Sequence, residues 1–204
     1  HNNDLTVDRS SNKVKVTDLL SRLNEEKRIE KKTKFKGLLI VKQRNNLDKR
    51  GNLRETFNDK VLKKKFIFEY CTTSKQNVLR GFHFQYRNKQ SKFVNVIKGK
   101  ILDVVIDLRK KSKTFGKAFK IILSKENALG LFIPRGFAHA YYSFGKENII
   151  YYKLDNYYSP KFESGIIYND KSINIKWPKK NMSISSKDKR LITINEFKQK
   201  FKGL

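Results

Sequence analysis

The chain of 204 residues is long enough for one full domain with a substantial core, and 38% hydrophobic with 12% aromatic residues sets it apart from disordered chains despite 32% charged residues. Its longest apolar runs, 101–106 and 128–134, are short and broken by Asp or Gly, which excludes a transmembrane helix. The formal charge of +28 comes mainly from Lys scattered over the whole length, with no base-stacking or Arg-bearing recognition module beside it, so no nucleic-acid partner is expected.

Residues 16–29 place Val16, Leu19, Leu20 and Leu23 at helical spacing, with Thr17 or Asp18 to cap the start and Glu25, Glu26, Lys27 and Arg28 on the polar side. A short amphipathic helix is expected there. The run 30–36 reads as a basic linker with a boundary near residue 33, so that a basic, partly helical extension over 1–33 precedes one domain over 34–204. The opening His1-Asn2-Asn3-Asp4 has neither an initiator Met nor a basic-then-apolar leader and reads as a trimmed end, so His1 is set aside. A single cysteine, Cys71, cannot close an internal disulfide, which favours a reducing compartment and a cytoplasmic location.

From there the pattern turns to β. Strands are expected at 37–41, 66–70, 92–97, 101–108, 118–123, 128–133, 138–144 and 149–154. The alternation is clearest at 101–108, with Leu102, Val104, Ile106 and Leu108 on one face and Ile101, Asp103, Val105 and Asp107 on the other. Lys98-Gly99-Lys100 before it reads as the turn of a hairpin with 92–97. Ile194, Phe197 and Phe201 stand at helical spacing near the end, as a small helix packed on the outside. Many short strands between polar turns indicate an all-β sandwich, jelly roll or closed barrel.

Besides His1 there are two histidines, His83 in Arg80-Gly81-Phe82-His83-Phe84-Gln85 and His139 in Pro134-Arg135-Gly136-Phe137-Ala138-His139-Ala140. On a strand His83 shares a face with Gly81 and Gln85, while Phe82 and Phe84 point the other way. Either histidine alone is equally well explained as a hydrogen-bonded core residue. A His-x-His pair followed by Glu is absent, and two separate histidines do not supply a three-ligand metal site, so an acid or base role is expected and no metal.

The ordered set Leu79-Arg80-Gly81-Phe82-His83-Phe84-Gln85, Asp103 to Arg109 with Ser112-Lys113-Thr114-Phe115-Gly116, Ile133 to His139, Tyr151-Tyr152-Lys153, Asn169-Asp170, Trp177-Pro178 and Ser186-Lys187-Asp188 resembles the dTDP-4-dehydrorhamnose 3,5-epimerase family, as does Asp48 to Glu55 nearer the start. The resemblance runs from about 37 to about 196. It implies a cupin-type jelly-roll barrel, a homodimer, no metal or other cofactor, and epimerisation at C3 and C5 of a nucleotide-linked 4-keto-6-deoxyhexose for deoxysugar and surface-polysaccharide biosynthesis. It casts His83 as general base, Asp188 as the carboxylate that orients it, Tyr152 as the acid on the opposite face and Lys92 as the cation facing the enolate. Arg50 and Arg80 then hold the diphosphate, Gln85 and Glu55 make further substrate contacts, Lys187 stands in the same motif as a binding residue, and His139 contacts the sugar or packs.

These residue types suit the chemistry. A C4 ketone acidifies the protons at C3 and C5, and histidine, with a reference pKa of about 6.5, accepts such a proton near neutrality. A fixed cation stabilises the enolate oxygen, and a planar guanidinium suits phosphate. The chain departs from the family pattern at Phe68-Glu69-Tyr70, where a Gln-Asp-Asn stretch is common, at Leu53, where an aromatic is common, and at Ala140, a usual Gly whose replacement is expected to tighten the sugar pocket. A single-site epimerase and a non-catalytic sugar-nucleotide-binding module are the alternatives.

Overall fold

A computed structural model of the protein describes residues 29–204, and the part of the expected 16–29 helix before residue 29 lies outside the described residues. The strands are β1 (Ile29–Lys32), β2 (Leu39–Lys42), β3 (Asn45–Asp48), β4 (Gly51–Arg54), β5 (Phe68–Lys75), β6 (Leu79–Gln85), β7 (Lys92–Lys98), β8 (Lys100–Asp107), β9 (Ala118–Ser124), β10 (Leu129–Ile133), β11 (Phe137–Ser143), β12 (Glu147–Leu154) and β13 (Glu163–Gly165). One helical turn, α1 (Asp59–Leu62), and one helix, α2 (Ile194–Phe201), accompany them. The larger sheet has the order β1-β2-β10-β7-β12-β5 and the smaller β13-β6-β11-β8-β9, with β3 and β4 forming a separate hairpin. Strands distant in sequence lie side by side, as a jelly roll requires.

β8 shows why the two sheets stack. Its odd positions Ile101 and Val105 enter the cluster between the sheets with Val94, Leu131, Ile150 and Tyr152. Its even positions Val104 and Ile106 enter a second cluster on the outer face, with Phe82, Phe84, Ala138 and Phe197. Both faces are therefore apolar because both are covered. α2 provides the outer cover: Thr193 and Glu196 form a reciprocal capping box at its start, and Phe197 and Phe201 meet the Phe84 ring at 5.3 and 5.7 Å. A third cluster, Val41, Val61, Leu62, Phe93 and Phe132, lies on the outer face of the larger sheet under α1.

Four local features differ from the sequence expectation. Lys98-Gly99-Lys100 is not a hairpin turn but a corner between the sheets: β7 pairs with β10 and β12 in the larger sheet, and β8 with β11 and β9 in the smaller, because a tight glycine turn fixes a reversal of direction and not which sheet the next strand joins. The segment 30–36, read as a linker from its charge, begins in β1, whose Lys31 and Lys32 pair with Ile40 and Leu39. An edge strand needs only backbone pairing and tolerates such charge. β5 continues past Tyr70 to Lys75 in register with β12, because Thr72 and Ser74 are polar residues turned toward polar partners and break the apolar pattern without breaking the ladder. The β3–β4 hairpin, rich in Asn and Asp, has no alternation to announce it.

Candidate active site

The chemistry-bearing residues gather between the two sheets on the side of β5 and β6. β6 brings His83 and Arg80, β11 brings His139 and Tyr141, β8 brings Asp103, β12 brings Tyr152 and β7 brings Lys92. Across this space Tyr141 Oη lies 3.1 Å from Thr72 Oγ1 and 2.8 Å from Ser74 Oγ, and Arg80 Nε donates to Ser74 Oγ at 3.1 Å, so polar bonds join the sheets here. Gly81 makes the approach of β6 to β11 possible. Its φ is +107°, and a Cβ there would stand 2.4 Å from the His139 carbonyl oxygen and 2.7 Å from Ala140 Cα.

His83 Nε2 lies 2.7 Å from Asp188 Oδ1, and the Gly81 N–H donates to Asp188 Oδ2 at 3.1 Å. Burial raises the Asp188 pKa, but the bonds from His83 and Gly81 outweigh it and hold the carboxyl below its ordinary value. The ionised carboxylate can only accept, so Nε2 carries the hydrogen and Nδ1 keeps its lone pair as the basic nitrogen.

A second pair stands beside the first. His139 is the cross-strand partner of His83, and its Nε2 lies 2.8 Å from Asp103 Oδ2. Exposure separates them: the His83 side chain is 29% accessible and the His139 side chain 5%. Only the first is open to a molecule entering from solvent.

Tyr152 is buried, stacked on Tyr70 at 4.7 Å and set edge-on to the His139 ring at 6.1 Å. Burial, then the neighbouring Tyr141, Tyr70 and Asp103, push its hydroxyl well above the usual phenol range, which keeps it protonated and able to donate. Burial likewise pushes Tyr70 up to about 12. The Lys92 ammonium is pulled down by burial, against the opposing pull of Glu163 and Asp103.

Glu163 belongs to this site, although no sequence motif singled it out. It pairs with Gln85 in register, bonds Lys187, and accepts from Tyr158 Oη at 3.0 Å. Burial raises its pKa, but Lys187 and the charge of His83 bring it below the ordinary value. Tyr141, Ser74 and Thr72 were also absent from the expected set; the inward-facing positions of β5, once its full length is known, find Thr72 and Ser74, and their bonds to Tyr141 on β11 then find the third.

The remaining expected residues divide. Gln85 is buried and braces loops: its Nε2 donates to the Asn88 carbonyl at 2.7 Å and its Oε1 accepts the Ser159 N–H at 2.8 Å. Arg50 sits on the β3–β4 turn, 84% exposed and bonded to Asp48, with no contact to the His83 group among the described residues. Glu55 lines a recess on the outer face of the larger sheet with Val41, Phe57 and Phe93, away from the space between the sheets. Ala140 packs in the outer cluster with Phe82 and Phe84, so the expectation that it tightens the sugar pocket is corrected: its strand position turns it away from His83. In Phe68-Glu69-Tyr70 the two rings face inward and Glu69 turns out to bond Lys153 and Tyr151. No group of three His, Cys, Asp or Glu comes together as a metal-ligand set among the described residues.

Comparison with known proteins identifies the family of the chain. The family model described as dTDP-4-dehydrorhamnose 3,5-epimerase matches residues 32–196. The protein of that name from Methanothermobacter thermautotrophicus is 39% identical over 173 residues, covering 81% of this chain and 94% of its own, and that from Shigella flexneri is 41% identical over 164 residues, covering 77% and 91%. The crystal structure of dTDP-6-deoxy-D-glucose-3,5-epimerase from Legionella pneumophila, in complex with dTDP-4-keto-L-rhamnose, superposes with a TM-score of 0.74 at 34% identity over 78% of this chain and 88% of that one. The matched span contains His83, Lys92, Tyr152 and Asp188 in one framework, and the chain belongs to the dTDP-4-dehydrorhamnose 3,5-epimerase family.

Proposed function

We propose that the protein epimerises C3 and C5 of a nucleotide-linked 4-keto-6-deoxyhexose, of the dTDP-linked kind bound by the Legionella pneumophila relative. The observation that carries this reading is the partly exposed His83–Asp188 pair beside the buried Tyr152. His83 Nδ1 takes the proton at the carbon next to the ketone, and the electron pair left behind moves into the C4 carbonyl as an enolate. Lys92 offers positive charge to that oxygen. Tyr152 returns a proton to the opposite face, which inverts the centre, and the phenolate is reprotonated from solvent. The charge left on His83 is balanced by Asp188, and Glu163 adds a second carboxylate near it. Incubation with dTDP-4-keto-6-deoxyglucose in deuterated water is expected to place label at C3 and C5. Label at one carbon only selects single-site epimerisation; absence of exchange with every nucleotide 4-keto-6-deoxyhexose rejects the reading.

The assignments of Arg50 and Glu55 to substrate binding are best served by a homodimer. Both lie on or beside a hairpin remote from the His83 group of their own chain, and the hairpin presents Leu47 and Leu53 at 77% and 69% exposure. Two such residues on one projecting ribbon favour a second copy as their cover. Sedimentation is expected to give a dimer that Leu53→Asp dissociates, with substrate affinity falling in parallel; a wild-type monomer of full activity overturns this. The exposed, unpaired Cys71 is in keeping with a reducing cytoplasm.

A further inference from the structure

A cavity of about 880 Å³ opens at the end of the barrel where the β1–β2, β6–β7, β8–β9 and β10–β11 connections converge, and none of the His83 group lines it. Its frame is built. Arg109 Nε and Nη2 bond the two oxygens of buried Asp107 at 2.9 and 2.7 Å, and its Nη1 donates to the Lys36 carbonyl at 2.8 Å. Ser112 and Thr114 give their hydroxyls to the same carboxylate at 2.6 and 2.7 Å. Gly136, at φ +88°, lets the Arg109 stem lie across it, since a Cβ there would meet Arg109 Cγ at 2.5 Å.

The side-chain charge of this cavity is one-sided, while the main-chain oxygen of Leu204 on its wall accepts the Lys110 N–H at 3.4 Å. Arg109 is neutralised by Asp107, and Arg135 by Asp155 at 3.0 Å. Lys34, Lys36, Lys89, Lys110, Lys111 and Lys113 also line it; among the described residues none of these has a carboxylate partner, and no Asp or Glu side chain lines the cavity. Ammonium groups gathered around one concavity raise its potential and draw anions. Lysines act as point charges on flexible stems, suited to several phosphate groups at once rather than to one planar fork. The volume falls in the range of small-molecule sites, roughly 300–1,000 Å³. Among the described residues no aromatic ring lines it, so its described walls offer none of the base stacking that single-stranded nucleic acid uses.

We propose that this cavity binds a small anion carrying two or more phosphate groups, at a site separate from the His83 cleft. The test is calorimetric titration of the full chain with inorganic triphosphate, comparing wild type, Arg80→Gln as a lesion of the catalytic cleft, and the combined Lys110→Gln, Lys111→Gln, Lys113→Gln variant. The lysines changed are exposed, so folding is expected to be intact and is checked by thermal melting. Binding should persist in Arg80→Gln, weaken as salt rises, and fall about tenfold or more in the triple variant, as losing three exposed charge contacts implies. Turnover of the sugar nucleotide at saturation should be unchanged in the triple variant. Triphosphate binding that is absent, or abolished by Arg80→Gln, or unaffected by the triple change, overturns the proposal. So does tighter binding of a single-stranded oligonucleotide that the same triple change removes.

Discussion

On the outer face of β6, Phe82 and Phe84 pack among Ile106, Ile166 and the rings of α2, while on its inner face His83 is bonded to one oxygen of one carboxylate from more than a hundred residues away. The outer contacts are many, non-directional and shared, so no one of them defines chemistry. The inner contacts are few and directional, and each fixes which nitrogen is basic or which hydroxyl keeps its proton. The difference teaches that stability and reactivity are carried on opposite faces of one strand, and substitutions should separate the two.

The largest separation is expected from His83→Ala, which should lower kcat/KM by about 10³- to 10⁴-fold, the upper span of a lost general base. Its melting temperature should fall only modestly, through the lost bond to Asp188, because the side chain is partly exposed and fills no core position. A comparable energy spent on the other face is expected from Phe197→Ala, which should cost about 3–5 kcal/mol in denaturant unfolding while saturated turnover of the surviving folded protein stays near normal. If Phe197→Ala instead removes activity without loss of stability, the division between faces is wrong.

Tyr152→Phe comes next. Product formation should fall roughly 10²-fold while deuterium still washes into a substrate carbon, since the base remains and only delivery of the second proton is lost. Equal loss of exchange and product would place Tyr152 outside proton delivery.

Asp188→Asn sharpens the comparison from within the polar face. Turnover should fall roughly tenfold to a hundredfold, the usual effect of removing a carboxylate that orients a histidine. Its folded-state pKa lies below the unfolded value of about 3.9, so its stabilising contribution is complete above that pH and disappears as pH falls through the folded value. The melting-temperature gap between wild type and Asp188→Asn should therefore be widest near neutrality and close in acid; a gap independent of pH would show that packing, not charge, is what the substitution removes.

Much of the barrel was legible before any coordinates. The 101–108 alternation sorted Val104 and Ile106 from Ile101 and Val105, and those residues enter the two clusters that period-two geometry requires. Phe82 and Phe84 were likewise separable from His83, and Ile194, Phe197 and Phe201 announced α2. Local periodicity encodes such faces because each residue's side is set by its immediate neighbours in the chain. The ordered motifs also paired His83 with Asp188, which the 2.7 Å bond now gives a geometry.

What periodicity does not encode is partnership across the fold. Glu163, Tyr141 and the twin His139–Asp103 pair became visible only once β13 and β11 were laid against β6 and β8 against β11, since hydrogen bonds between distant segments leave no repeat in sequence. Ala140 faces the outer cluster for the same reason that Glu55 lies on the far side of a sheet: the direction of a side chain relative to a cleft belongs to the packing of whole strands. Sequence alone determined most of the central strands and the family they belong to, because both are written in local order. Tertiary structure decided which histidine is open to solvent, which carboxylates surround it, and that the lysines of three separate connections share one cavity, because burial and charge summation are properties of surfaces that only folding brings together.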